Sequence, residues 1–312
     1  MKRGYVMELP ELGSATVEMV VDNFIDVFEP SLPGVVERMT PGRLKKPLIA
    51  AHGLSMLITM ELNGQTKRIL MDTSNSPLVL FNNLEALERS VEDIEALFLS
   101  HGHPDHYGGL QEVLARRQSP LEVYLHPDCY LPKLLITPRG RVGPWTLERE
   151  ALERAGARLR ENTQPTLIAG GALISGPVEA SVSYETPLPG AKRIVNGKEE
   201  RDDFRDEQVL IMKVKNRGLI VVAACSHPGI TNMIRYAQKL TGETKVAAVI
   251  GGFHLTAGGE QLIQNTIKGL QELDIGLILA GHCTGFRALA SLYAAFPEQF
   301  MVSCVGTKVM IS

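Results

Sequence analysis

Between Ala96 and Leu110 the chain reads Ala-Leu-Phe-Leu-Ser-His-Gly-His-Pro-Asp-His-Tyr-Gly-Gly-Leu. Three of its eight histidines, His101, His103 and His106, fall together here with Asp105 between them. Imidazole nitrogen and carboxylate oxygen are the donors a zinc-like ion takes outside all-sulfur sites. An apolar run precedes these residues and Gly108-Gly109 opens a helical pattern after them, which puts them at the carboxyl end of a strand. On an extended turn, His101 and His103 can point at one ion. Asp105 and His106, at the helix start, can point at a second ion a few ångströms away. A merely solvated loop has no reason to concentrate four such donors. The segment predicts a metal site.

The elements that must hold it follow from hydrophobic periodicity. Apolar runs predict strands at Val17–Val21, Met56–Leu62, Arg68–Asp72, Ala96–Ser100, Glu122–His126, Val209–Val214, Leu219–Cys225, Val246–Gly252, Ile275–Gly281 and Met301–Gly306. Several are continuously apolar, as strands covered on both faces are. Three- and four-residue apolar spacing predicts amphipathic helices at Gly108–Arg117, Leu147–Ala155, Thr231–Leu240, Glu260–Leu273 and Phe286–Ala295. Turn signals at Asn63-Gly64 and Asn216-Arg217-Gly218 predict hairpins, so the sheets are mixed. The class is α/β with layered sheet and helix. No glycine-rich nucleotide loop stands at a strand-to-helix junction. Prolines after His126, and a Pro-, Gly- and charge-rich run from Pro187 to Asp206, predict an irregular insertion or lid over about 129–205 inside a single 1–312 domain.

Composition narrows the function. Of 312 residues, 32 are Lys or Arg and 35 Asp or Glu, a net charge of -3, which offers no domain-wide positive field for a phosphate backbone. A nucleic-acid partner is not expected. No run of about 18 apolar residues predicts a membrane span. The basic start lacks the apolar stretch of a secretory signal, and Cys129, Cys225, Cys283 and Cys304 form no C-x-x-C pair, so reduced thiols and a cytoplasmic location are expected.

The pattern H-x-H-x-D-H after an apolar strand resembles the signature of the metallo-β-lactamase superfamily. Asp22-Asn23, Ala51-His52-Gly53-Leu54-Ser55, Asp206-Glu207-Gln208, Cys225-Ser226-His227-Pro228-Gly229, Gly251-Gly252-Phe253-His254-Leu255 and Gly281-His282-Cys283-Thr284-Gly285 resemble one branch of it. That branch includes an archaeal synthase that makes a dihydropterin-aminobenzene ribofuranosyl phosphate. The resemblance implies an αββα four-layer sandwich and two adjacent divalent metal ions, usually zinc, with manganese or iron in some members. It assigns His101, His103, Asp105 and His106 to the main motif and His282 to the superfamily's last ligand. Where most members carry a bridging aspartate this chain has Cys225-Ser226-His227, so His227 is expected to bind metal in that role or beside it. Where most hydrolytic members carry a hairpin histidine this chain has Asp206-Glu207, either of which is a ligand or a partner to an imidazole N–H.

His254, after Val246–Gly252, is expected near the site as a ligand, proton donor or phosphate contact. His52 is expected to act behind the ligands or structurally, and His126 structurally. Cys225 and Cys283 are expected to pack as small buried residues. Two cations a few ångströms apart polarise a phosphoryl or carbonyl oxygen and offset charge on a leaving group. The leading reading is therefore a hydrolase or group-transfer enzyme on a small phosphorylated metabolite, in its sharper form a pterin diphosphate. Asp105 would orient the attacking group and take its proton, and His254 would protonate the leaving group. The alternatives are a non-catalytic metal-binding or sensor protein and a phosphodiesterase or ester hydrolase unrelated to pterins. A homodimer is compatible with the sequence.

Overall fold

Ile220 and Val222 turn to one face of the strand Gly218–Val222 and Leu219 and Val221 to the other, and all four are buried. A strand with two apolar faces needs a layer on each side. The computed structural model, which describes residues 6–40 and 42–312, supplies both layers. On the inner side, Ile220, Val222, Ile250 and Leu279 meet Met19, Met56, Ile58 and Met60 of a second sheet. On the outer side, Val221, Val249 and Ile278 meet Ile234, Ile267 and Leu292 of the helices Ile230–Thr241, Gly259–Gln271 and Phe286–Ala295. The second sheet is covered in turn by Leu80, Leu84, Leu114 and Leu152 of the helices Pro77–Ala86, Leu110–Arg116 and Arg149–Arg154. Helix, sheet, sheet and helix form the four-layer αββα sandwich.

One sheet runs Thr166–Ile168, Ala172–Ile174, Leu210–Val214, Gly218–Val222, Val246–Gly252, Ile275–Gly281, Phe300–Val302, with Glu11–Leu12 paired to Leu210–Val214. The other runs Ala157–Glu161, Leu121–Leu125, Ala96–Phe98, Gln65–Met71, Ser55–Leu62, Ser14–Val21, Lys308–Ile311, Val36–Glu37. Both are mixed: Leu210–Val214 and Gly218–Val222 form an antiparallel hairpin, and the following three strands are parallel. Every expected strand and helix is present, with ends displaced by a few residues.

The region 129–205 differs from its expected irregularity. Lys133–Thr137, Gly140–Trp145, Ala191–Val195 and Lys198–Arg201 form a small antiparallel sheet of their own. Between those two hairpins, Ala157–Glu161 completes one main sheet and Thr166–Ile168 with Ala172–Ile174 completes the other. Gly140–Trp145 and Lys198–Arg201 are largely exposed, and Lys133–Thr137 and Ala191–Val195 are short and interrupt their apolar residues with Lys133, Lys192 and Arg193, so no hydrophobic alternation announces them. Among the described residues no helix is long and apolar enough to cross a membrane.

Candidate metal centre

Four strands deliver their carboxyl ends to one edge of the sandwich. The strand Ala96–Phe98 leads to His101, His103, Asp105 and His106, and Gly218–Val222 leads to Cys225 and His227. His254 follows Val246–Gly252 and His282 follows Ile275–Gly281. The backbone there is unusually bent: Asp72, Ser226, His254 and His282 all take positive φ, at 58°, 62°, 43° and 48°. Non-glycine residues hold that conformation only where their surroundings compel it, and they concentrate at functional sites. Gly102 permits the first turn to close, since a Cβ there would meet the Cys129 carbonyl oxygen at 2.5 Å.

Two groups of metal-ligating atoms converge. Asp105, His106, Cys225 and His282 each bring one ligand atom within 4.8 Å of the others, and so do His101, Cys225 and His227. The Cys225 sulfur belongs to both groups. It lies 3.2 Å from His106 Nε2 and 3.3 Å from His282 Nε2, and Asp105 Oδ2 lies 3.5 Å and 3.4 Å from the same two nitrogens. Cys225 is thus more than the packing residue expected of it: its thiol stands where the two groups meet. His227 supplies an imidazole to the second group, beside His101, from a strand far from the main motif. His103 is in neither group, although its Nδ1 is 3.1 Å from His101 Nε2 and its ring centroid 5.0 Å from that of His227.

Carboxylates set the imidazoles from behind. Asp72 Oδ2 is 2.7 Å from His106 Nδ1, and Asp72 also accepts from the amide and hydroxyl of Ser100. Glu207 Oε2 is 2.6 Å from His227 Nδ1, and the same carboxylate accepts the backbone N–H groups of Cys225, Ser226 and His227. A carboxylate already taking several N–H bonds is an acceptor, so both rings direct Nδ1–H at a carboxylate and turn Nε2 inward. Asp22 Oδ1 accepts the His282 amide. Asp206 accepts the Gly102 amide and pairs with buried Lys133, whose Nζ also meets Asp202 at 2.7 Å. Asp206 and Glu207 therefore stand behind the ligands. Asp72 escaped the sequence reading, although a carboxylate closing an apolar strand was visible there.

Charge is unevenly distributed among these groups. Burial pulls the titration of His227 well below the ordinary histidine range, with His254 and His103 adding to it. Burial likewise brings His103 down to about 4. Burial also opposes charge on His106, but Asp105 and Asp72 outweigh it and raise that ring well above its usual range. For Asp105, burial is overcome by His106 and His282, which hold the carboxyl well below the usual range. The imidazoles of His101, His106 and His227, a thiol and a carboxylate crowd one space. That donor set fits a pair of soft-to-borderline divalent ions.

The remaining histidines sort by position. His52 is exposed at the rim, its Nε2 3.4 Å from Asp105 Oδ2 and its ring stacked on His282. His126 accepts the Asp128 amide through Nδ1 and caps a short helical turn, a structural role. His254 sits with its ring centroid 4.4 Å from that of His227. It lines two adjoining cavities of about 180 and 230 Å³, which share Leu188, His227 and His254. Leu134, Leu135 and Trp145 of the small sheet wall the first, with His103, Asp105 and Cys283; Glu185, Phe253 and Leu255 wall the second.

Comparison with known proteins gives the relatives of this arrangement. Residues 51–202 match the family model of the metallo-beta-lactamase superfamily. A 7,8-dihydropterin-6-methyl-4-(beta-D-ribofuranosyl)-aminobenzene-5'-phosphate synthase of Methanocaldococcus jannaschii is 35% identical over 260 residues, covering 81% of this chain and 88% of its own. An uncharacterised protein of the same organism is 31% identical over 247 residues, covering 79% and 89%. Among solved structures, a metal-dependent hydrolase of the beta-lactamase superfamily superposes with a TM-score of 0.73 at 23% identity, over 96% of this chain and 99% of that one. A diphosphatase from the PhnP family gives 0.50 at 12% identity, over 96% and 98%. These two structural likenesses speak to the fold.

Proposed function

This chain belongs to the metallo-beta-lactamase superfamily, among its metal-dependent hydrolases and transferases, and from that premise we propose that it transfers a group from a small phosphorylated, pterin-diphosphate-like metabolite to an aromatic acceptor. The Cys225 sulfur shared by the two ligand groups carries this reading, because it joins them into one centre at the floor of a cleft. In the proposal, His101, His103 and His227 would hold one ion and Asp105, His106 and His282 the other, and Cys225 would be available to both. Zinc suits this mixture of nitrogen, oxygen and sulfur donors better than manganese or iron. Two bound divalent ions supply positive charge against a departing diphosphate.

The side chains do the rest. Asp105, at 19% side-chain exposure, is the carboxylate of the two groups that opens to the cleft. It orients the attacking group and accepts its proton. His254 stands between the two cavities and protonates the departing phosphate oxygen. The paired cavities favour transfer over hydrolysis, since joining two partners needs a seat for each. The Methanocaldococcus relative's name describes a product of that kind, a dihydropterin linked through a methyl group to an aminobenzene ribofuranosyl phosphate.

The test is to incubate the zinc-loaded chain with a dihydropterin-methyl diphosphate and an aminobenzene ribofuranosyl phosphate. Coupled product with one diphosphate released is expected. Release of dihydropterin monophosphate without coupling would make the chain a hydrolase, and turnover of neither compound would end the pterin reading.

A further inference from the structure

The cavity of about 180 Å³ has two unlike sides. Asp105, Cys225 and His227 line it from the metal centre, and Leu134, Trp145 and Lys192 line it from the small sheet. Trp145 is the chain's single tryptophan, half-buried, with its ring centroid 6.4 Å from that of His103. Leu134 and Lys192 stand directly opposite one another on antiparallel strands, so their side chains leave the same face of the sheet.

Among the described residues, Lys192 is the one lysine or arginine lining either cavity beside the metal ligands. The cations around it on the small sheet already have partners: Lys133 pairs with Asp202 and Asp206, Arg193 with Glu200 and Asp203, and Arg141 with Glu199. Asp202 also reaches the lining, but it is bonded to Lys133 at 2.7 Å. The Lys192 ammonium has no ion pair and no hydrogen bond among the described residues, and it is half-buried, so an occupant can reach it. Arg201 lies directly across the next strand pair, a like charge whose repulsion an anion at Lys192 offsets.

We propose that this cavity seats the acceptor of the transfer, with its aromatic ring against Trp145 and Leu134 and its phosphate on Lys192 Nζ. A departing diphosphate lies against the metal centre. The acceptor's phosphate is at the other end of the reaction and needs a cation of its own, which the small sheet provides. The cavity walled by Glu185, Phe253 and Leu255 is then left to the pterin. Which partner takes which cavity rests on the transfer proposed above; the seat for an aryl phosphate does not.

Because Trp145 is the chain's single tryptophan, its fluorescence reports this cavity without turnover. The zinc-loaded full chain is titrated with aminobenzene ribofuranosyl phosphate and with the same riboside lacking the phosphate. Saturable changes are expected, with the phosphorylated compound tighter by roughly tenfold or more. Lys192→Met should close that gap to within about twofold while metal content stays unchanged, and Lys192→Arg should restore it. No saturable change, no gap in the parent, or the parent's gap persisting in Lys192→Met would overturn the proposal. Coupling assays on the same samples separate it from the transfer reading. Coupling whose KM for the acceptor ignores Lys192→Met would sink the seat alone. A Lys192-dependent gap without coupling would keep the seat and end the transfer.

Discussion

His227 and Glu207 are joined at 2.6 Å, Nδ1 to Oε2, and that contact determines which nitrogen of the imidazole faces the cleft. Burial raises Glu207 toward the neutral form, and three backbone N–H groups oppose it. Glu207→Gln keeps the shape and weakens the acceptor. Metal affinity, read by competition with a chromogenic chelator, is expected to fall about 10- to 100-fold. Unchanged affinity would mean that His227 does not depend on this carboxylate.

Cys225 makes a sharper test of the shared position. Serine cannot offer a thiolate, so Cys225→Ser should drop the metal content measured by elemental analysis from two ions per chain toward one or none. Aspartate also presents oxygen to two cations, and Cys225→Asp should retain the pair. A serine variant that keeps both ions would remove the sulfur from the centre.

Acid should destabilise the metal-free chain before it reaches the carboxylates. His103 titrates at about 4 in the folded state against 6.5 when free, so the unfolded chain takes up its proton first as pH falls. Stability is complete above about pH 6.5 and declines down to about pH 4, by roughly 3 kcal/mol for this ring alone. His101 and His227 are shifted in the same direction by burial and add to the slope. His106 and His282 are raised and act above this window. Urea unfolding of chelator-treated protein between these pH values measures the slope, and His103→Asn should flatten it. A slope equal to the parent's in that variant would refute the assignment.

Lys133 is expected to matter for a different reason. Its ammonium is wholly enclosed between Asp202 and Asp206. Lys133→Met leaves two carboxylates buried without their cation, a loss of about 3–5 kcal/mol in unfolding free energy. Asp206 also accepts the Gly102 amide, so weaker metal retention should accompany the loss. A variant as stable as the parent would show that water reaches these carboxylates.

Much of this was legible because it is local. His101 to His106 are contiguous, and the long apolar strands and amphipathic helices carry their periodicity in short windows. The shared position of Cys225 was not, because it exists only where two strand ends meet, 119 residues from His106 and 57 from His282. Read alone, a cysteine after an apolar strand is a buried small residue. Asp72 and Lys133 find their partners 34 and 69 residues away, and no spacing rule reaches that far. The strands Thr166–Ile168 and Ala172–Ile174 have three residues each, too few to display a period.

The small sheet beside the cleft is assembled from two hairpins, Lys133–Trp145 and Ala191–Arg201, with three strands of the main sandwich between them in the chain. It is consequently not a cassette. Excising one continuous stretch would strip both principal sheets of edge strands, whereas exchanging the two hairpins together, with Lys133, Asp202 and Asp206 carried along as their common anchor, would regraft the roof and leave the foundations standing.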